Sequence, residues 1–307
     1  MTYNKINTPI DAHIHTPWSD WKKIWPWKLN KEIYCILTNH NTFSPKEQDK
    51  INKITKKNNP YWVEISANIW WLSVHILLYT KKINKKAEKK IEEIKNLQKE
   101  KTETSIETLK KIIKEDNEIS ENIKEKINNI SYETLAKHFK VKQPNSWHLK
   151  KFLDGLNIEK NKINVLIGKI KEKEKKEKNI KIEASKEDIE EIKSLQWKNS
   201  ILSLAHPFYT FWWDEIKFKN FLKKHYKIFN AIEINSQTPR NWVKLIKQQA
   251  RKYWLILTFW SDSHWEKSDK HHGKLWAMNK YVYPKNIKEN IEKFQKIINT
   301  TIIRRKV

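Results

Sequence analysis

Short apolar runs that end in polar residues recur at both ends of the chain, and a long charged helical pattern lies between them. Ile10 to Ile14, Tyr34 to Thr38, Val63 to Ser66 and Val74 to Tyr79 are apolar runs, each followed or interrupted by His or Glu. Runs of this length, bounded by polar residues, predict buried strands. From about residue 81 to 140 the pattern changes to dense Lys and Glu, with apolar positions at Ile91, Ile94 and Leu97 and again at Leu109, Ile112 and Ile113. That spacing predicts amphipathic helices, and no sustained heptad marks them as a coiled coil. Asn145 and Gly155 punctuate a further helical stretch, and 171–181 is charged almost throughout. Strand-like runs return at Ile201 to Ala205, Ile228 to Ile234 and Leu255 to Thr258. At or beyond their carboxyl ends they deliver His206, Glu233 with Asn235, and Asp262 with His264.

The pattern predicts an α/β body formed by residues 1–80 and 191–307, interrupted by a helical insertion over 81–190. Carboxyl ends of strands are where α/β enzymes place their chemistry, and the insertion is positioned to cap that end. A closing helix is expected over Asn286 to Ile298.

Composition narrows the options. Sixty-two Lys and Arg against 36 Asp and Glu give the 307-residue chain a net charge of +26. Such an excess ordinarily makes nucleic acid the first partner to consider. The cations are nearly all Lys, however; Arg occurs only as Arg240, Arg251, Arg304 and Arg305, and bidentate reading of phosphates or base edges favours Arg. An A/T-biased coding sequence produces the same Lys-, Asn- and Ile-rich text. The single Cys35 excludes a disulfide framework and any thiolate-rich metal site. No secretion segment and no long uncharged apolar stretch is present, so the expectation is a soluble cytoplasmic protein without a membrane partner.

Glycine and tryptophan are the abnormal pair. An average usage of about 7% would give roughly 21 glycines, whereas the chain has 3 Gly and 16 Trp. Several Trp stand where turn chemistry wants Gly: Trp21, the doublets Trp70-Trp71 and Trp212-Trp213, and Trp260 and Trp265 around SDSH. This placement points to UGA codons that mean glycine in the source organism and are written here as tryptophan. A genuinely Trp-rich protein with large aromatic surfaces is the competing reading.

Of the 11 His, six sit at or just after apolar runs: His13, His15, His40, His75, His206 and His264. A His-x-His pair on a strand presents both imidazoles on one face, because side chains alternate with period two. With carboxylates from Asp20, Glu64 and Asp262, these imidazoles form an N/O set suited to Zn, Mn or Fe.

These residues carry a resemblance. DAHIHTPWSDW (11–21) resembles the opening D-x-H-x-H-T-x-x-S-D-G of the PHP family, the polymerase and histidinol phosphatase superfamily of metal-dependent phosphoesterases. LTNHNTFS (37–44), WVEIS (62–66), HILLY (75–79), LAHP (204–207) and FWSDSHW (259–265) resemble its later elements in order. Trp21, Trp62, Trp260 and Trp265 fall where that family shows glycine.

The resemblance implies a distorted (β/α)7 barrel with two to three divalent ions (Mn, Fe or Zn) at the carboxyl ends of its strands. It implies as metal ligands His13, His15, Asp20, His40, Glu64, His75, His206, Asp262 and His264, with Glu64, Asp262 and His264 closest to the chemistry. Asn39 departs from the aspartate usual beside the third histidine, which removes a carboxylate that could support the ligands.

The expected function is hydrolysis of phosphate esters of nucleotides or short 5′-phosphorylated oligonucleotides. Histidinol phosphate is the alternative substrate, and a nucleic-acid-binding module with a degenerate metal site is an alternative of a different class. His148, Lys150 and Arg240 are candidates to meet a substrate phosphate. No phosphate-binding G-x-x-x-x-G-K-[ST] loop is present.

Overall fold

The computed structural model of the chain describes residues 10–14, 34–37, 39–43, 45–55, 61–80, 82–176, 183–196, 200–235 and 238–260. Strands β1 (Ile10–Ile14) and β2 (Tyr34–Leu37) lead to α1 (Pro45–Thr55) and the hairpin β3 (Tyr61–Ile69) and β4 (Leu72–Thr80). Five helices follow: α2 (Lys85–Lys114), α3 (Glu121–Asn128), α4 (Tyr132–Phe139), α5 (Ser146–Asp154) and α6 (Lys160–Lys176). The chain then returns through β5 (Ala184–Ser185), α7 (Lys186–Gln196), β6 (Ser200–Leu204), α8 (Pro207–Phe211) and α9 (Glu215–His225). It continues with β7 (Ala231–Asn235), α10 (Arg240–Tyr253) and β8 (Ile256–Trp260).

The fold is mixed α/β and mostly helical. Six strands form one sheet in the order β5-β3-β4-β6-β7-β8, and β1 and β2 form a separate parallel pair. A bridge between His40 and Glu64 ties the chain after β2 to β3, and β1 approaches β8. The last strands β6, β7 and β8 are mutually parallel, as the alternation of strand and helix predicts. By contrast, β4 runs antiparallel to both β3 and β6. A two-residue link leaves β4 no room for a crossover, so it must reverse direction. Its early residues therefore reach the same sheet edge as the ends of its neighbours, which places His75 at that edge.

Period-two alternation separates the faces of the sheet. Val63, Ile65, Ala67, Ile69, Val74, Ile76, Leu78, Leu202, Leu204, Ile232 and Ile234 belong to the main core with Phe218, Phe221 and Trp242 from the helices. The other face carries a smaller cluster with Leu77, Tyr79, Ile201, Ala205 and Ala231. Glu64, His75 and Glu233 share the parity of this second face.

The helical stretch has an apolar cluster of its own, from Ile106 and Leu109 through Leu135 and Leu153 to Ile170. Helix α2 spans both cores: Ile91 and Ile94 pack with the sheet, whereas Ile106, Leu109 and Ile113 pack with α3–α6. Its 30 residues rise about 45 Å. The side chain of Asn84 accepts from the amide of Lys86 at its start.

Tryptophan occupies backbone positions that suit glycine. Trp70, Trp71, Trp212, Trp213 and Trp254 have φ of 54, 64, 42, 68 and 58°, while no described glycine has a positive φ. Trp70 and Trp71 are the whole link between Ile69 and Leu72 of the β3–β4 hairpin. Two successive positive φ values are the requirement of a two-residue type I′ turn, where Asn-Gly is usual. Trp254 is the left-handed cap of α10, the commonest place for glycine at a helix end. Trp62 presses on Tyr79 with ring centroids 3.1 Å apart, inside the roughly 4.5–7 Å of ordinary aromatic pairs. The expected closing helix at Asn286 to Ile298, and Trp21 and Trp265, lie outside the described residues.

Candidate metal centre

Four elements bring one carboxylate and three imidazoles together. Glu64 stands in the middle of β3 and is 1% exposed. His40 follows β2 on a segment stitched to β3 by backbone bonds from the Asn41 amide to the Glu64 carbonyl (2.7 Å) and from the Glu64 amide to the Asn39 carbonyl (3.2 Å). His75 lies early in β4, and the Ala205 amide donates to its carbonyl at 2.9 Å, which carries His206 to the same place.

The side chains converge on the carboxylate. Glu64 Oε1 lies 2.7 Å from His75 Nδ1 and 3.3 Å from His206 Nε2, and Glu64 Oε2 lies 3.3 Å from His40 Nδ1. His75 Nδ1 and His206 Nε2 are 3.1 Å apart. Ligand atoms of His40, Glu64 and His75 all fall within 4.8 Å of one another.

A carboxylate taken out of water costs several kcal/mol unless it is matched by charge and hydrogen bonds. Neutral imidazoles offer one N–H each and otherwise lone pairs. A set of three imidazoles converging on one buried carboxylate is therefore a chemical fit for a divalent cation of the Zn, Mn or Fe type. The same face is polar beneath the cluster: Ser203 and Thr258 hydroxyls bond at 2.9 Å. Burial holds the neighbouring Tyr79 phenol well above its ordinary pKa; the Glu233 and Glu64 carboxylates add to this, and Thr258 and Ser203 oppose it.

A cleft of about 180 Å³ opens beside His75. Its walls come from both parts of the chain: Asn41, Ser66 and His75 from the strand region, Gln98, Lys101 and Ser105 from α2, and Asn145, Ser146 and Trp147 from the start of α5. The loop carrying His40 is held to the helices directly. Asn41 Nδ2 donates to Gln98 Oε1 at 2.6 Å, Asn41 Oδ1 accepts from the Ser66 amide at 3.0 Å, and Gln143 Nε2 donates to the Thr42 hydroxyl.

Other residues singled out from the sequence are placed elsewhere. His148 is 2% exposed; its Nδ1 faces the Asn145 side chain and amide in a capping arrangement at the start of α5. Lys150 donates to Asn164 Oδ1 at 3.1 Å. Arg240 is the exposed first residue of α10. Asn39 is buried beside Glu64. His13 lies on β1, with its side chain outside the description, and His15, Asp20, Asp262 and His264 lie outside the described residues. Sequence reasoning did not single out Gln98, Lys101 or Gln143, since nothing distinguishes them within a Lys- and Gln-bearing helical text.

Comparison with known proteins gives the fold. No family model and no curated protein matches the sequence. A solved "putative metal-dependent phosphoesterase" from Bifidobacterium adolescentis superposes with a TM-score of 0.62 at 13% identity, over 95% of this chain and 96% of that one. An amidohydrolase from Chromobacterium violaceum, solved with bound sulfate and no metal, superposes with a TM-score of 0.61 at 14% identity, over 93% and 97%. Coverage this complete makes the helical segment part of the shared fold. Among the described residues, no helix is long and apolar enough to cross a membrane.

Proposed function

We propose that the chain is a metal-dependent phosphoesterase of the PHP type, whose strands close into the distorted seven-stranded barrel with residues 81–190 as a cap. The observation that carries this reading is the convergence of His40, Glu64, His75 and His206, from four separate elements, on one buried point beside an open cleft. The shared fold with a protein described as a metal-dependent phosphoesterase supports it.

Glu64 offers both oxygens and would bridge, while His40, His75 and His206 fix its orientation from three sides. His13, His15, Asp20, Asp262 and His264 complete the set by family resemblance. Divalent ions held by such a set supply Lewis acidity and an activated water at neutral pH. The chain's own work is to bind the ester, hold the phosphate against the cluster and keep bulk water out. Lys101, paired with Glu183 at 3.4 Å in the cleft wall, could turn to a substrate phosphate, and Asn145 and Ser146 would provide hydrogen bonds. We assign nucleotides or short 5′-phosphorylated oligonucleotides as substrates, because the cleft extends from the cluster into the cap.

Elemental analysis of protein purified without chelator should give two to three equivalents of Mn, Fe or Zn; less than one after reconstitution sinks the reading. Glu64→Gln should remove nearly all turnover. A panel of nucleoside monophosphates, 5′-phosphorylated oligonucleotides and histidinol phosphate should favour the nucleotides in kcat/KM. A tenfold preference for histidinol phosphate replaces the substrate assignment, and binding without turnover by metal-loaded protein favours a nucleic-acid-binding role.

A further inference from the structure

Glu233 is a fully buried carboxylate that no proposed ligand set uses. It sits on β7, is 0% exposed, and its Oε2 accepts a hydrogen bond from the backbone amide of His206 at 2.5 Å. His206 has an unusual backbone. Its φ of 27° and ψ of 57° lie near the left-handed region, which costs a residue with a Cβ about 1–2 kcal/mol. It also precedes Pro207, and the residue before proline is ordinarily pushed to extended conformations. Strain of this kind persists only where surrounding structure over-determines it, and it clusters at functional sites. The turn is held on its strand side by the Ala205 amide on the His75 carbonyl at 2.9 Å and the His206 amide on Glu233, and on its helix side by the Tyr209 and Thr210 amides on the His206 carbonyl. The consequence is that the imidazole leaves β6 directed back at Glu64 and His75 instead of continuing along the strand.

We propose that Glu233 is a positioning residue for the metal centre: it acts through the backbone amide of His206, holding that residue in the left-handed turn that aims its Nε2 at the cluster. The register of the parallel strands, with Leu204 opposite Ile232, puts the next inward-facing residue of β7 level with the turn after β6. The role requires reach and acceptor geometry from Glu233, and it requires no contact with metal or substrate. The inference rests on the metal-centre reading above.

The test separates reach from charge. Glu233→Gln keeps the length and an acceptor oxygen but loses the charge; Glu233→Asp keeps the charge but withdraws it by about 1.5 Å, one carbon–carbon bond. Manganese affinity is measured by titration calorimetry on the full chain, and the His206 amide is followed by 15N NMR and hydrogen exchange. Glu233→Gln is expected to keep manganese affinity within about threefold and the His206 amide protected. Glu233→Asp is expected to lower affinity about tenfold, the lower end for residues that orient metal ligands, with the His206 amide exposed to exchange and the circular dichroism unchanged. If glutamine loses as much affinity as aspartate or more, charge is required beside reach and the proposal is overturned. If both variants bind like the parent chain, it is likewise overturned. Should Glu233→Asp fail to fold, the exchange rate of the His206 amide in Glu233→Gln decides: a protected amide supports the pin and an unprotected one refutes it. A parent chain that binds no manganese, zinc or iron defeats the metal-centre reading itself.

Discussion

At the scale of single residues, the tryptophans are the anomaly with the clearest physical consequence. Trp71 and Trp254 are 93% and 92% exposed and hold φ of 64 and 58°, so their rings bury almost nothing while their backbones sit where a Cβ is penalised. Trp71→Gly and Trp254→Gly should each stabilise the fold by about 1 kcal/mol, raising Tm by about 2–4 °C; lower melting temperatures would count against recoding. The codons themselves give the direct answer, UGA supporting recoded glycine and UGG refuting it. His225 makes a second case. Burial, then Lys186 and Lys224, lower its pKa from 6.5, and both ring nitrogens are buried without a hydrogen-bond partner. The unfolded imidazole takes up a proton near pH 6.5, whereas the folded one resists until lower pH. Its contribution is therefore present above that value and is lost as pH falls from there to the folded pKa. Urea midpoints should drop between pH 7 and 5, and His225→Leu should flatten that dependence; an unchanged slope would remove His225 as the cause.

At the scale of elements, apolar periodicity was enough to find most strands and the long helix. Ile10 to Ile14, Val74 to Tyr79 and Ile201 to Leu204 fall in strands, and the spacing of Ile91, Ile94, Leu109 and Ile113 falls in α2. The doublet Trp70-Trp71 was legible as a turn, but the reversal of β4 was not, because a turn position alone does not say that the strands flanking it pair with each other. The run at Ile228 begins too early: Ile228 closes a short 3-10 turn, and β7 starts at Ala231. Within the candidate metal centre, His40, Glu64, His75 and His206 were legible as residue types at strand ends. The supports were not, since the role of Asn41 depends on meeting Gln98 across 57 residues, and that of Glu233 on the backbone angle of His206. Leu109 belongs to the helical cluster and is fully buried. Leu109→Ala should cost about 2–5 kcal/mol, with faster hydrogen exchange confined first to 106–170; equal loss of protection in β6 and β7 would mean the two cores open together.

At the scale of the whole molecule, charge and shape lead to different expectations for the two proposed substrates. The chain carries a net charge of +26 and a cleft of about 180 Å³; on the substrate assignment proposed above, a mononucleotide would sit in the cleft while a longer strand would also cross Lys-rich surface. Raising salt should therefore lower kcat/KM steeply for a 5′-phosphorylated oligonucleotide and only slightly for a mononucleotide. Equal salt dependence would confine recognition to the cleft. The two apolar clusters joined by α2 have one further consequence, which concerns the order in which the chain is made. β4 ends at Thr80 and its partner β6 begins at Ser200, so the sheet cannot be completed until that whole interval has left the ribosome. Closing so long a loop is entropically costly for an extended chain. The helical cluster, drawn from the continuous stretch 106–170, has all its members on hand earlier and can collapse first. A cluster that collapsed first would shorten the gap the nascent β6 must cross, so the segment that walls the cleft in the finished protein would serve, during synthesis, as a splint for the sheet; pulsed hydrogen exchange showing 106–170 protected no earlier than β4 and β6 would refute this order.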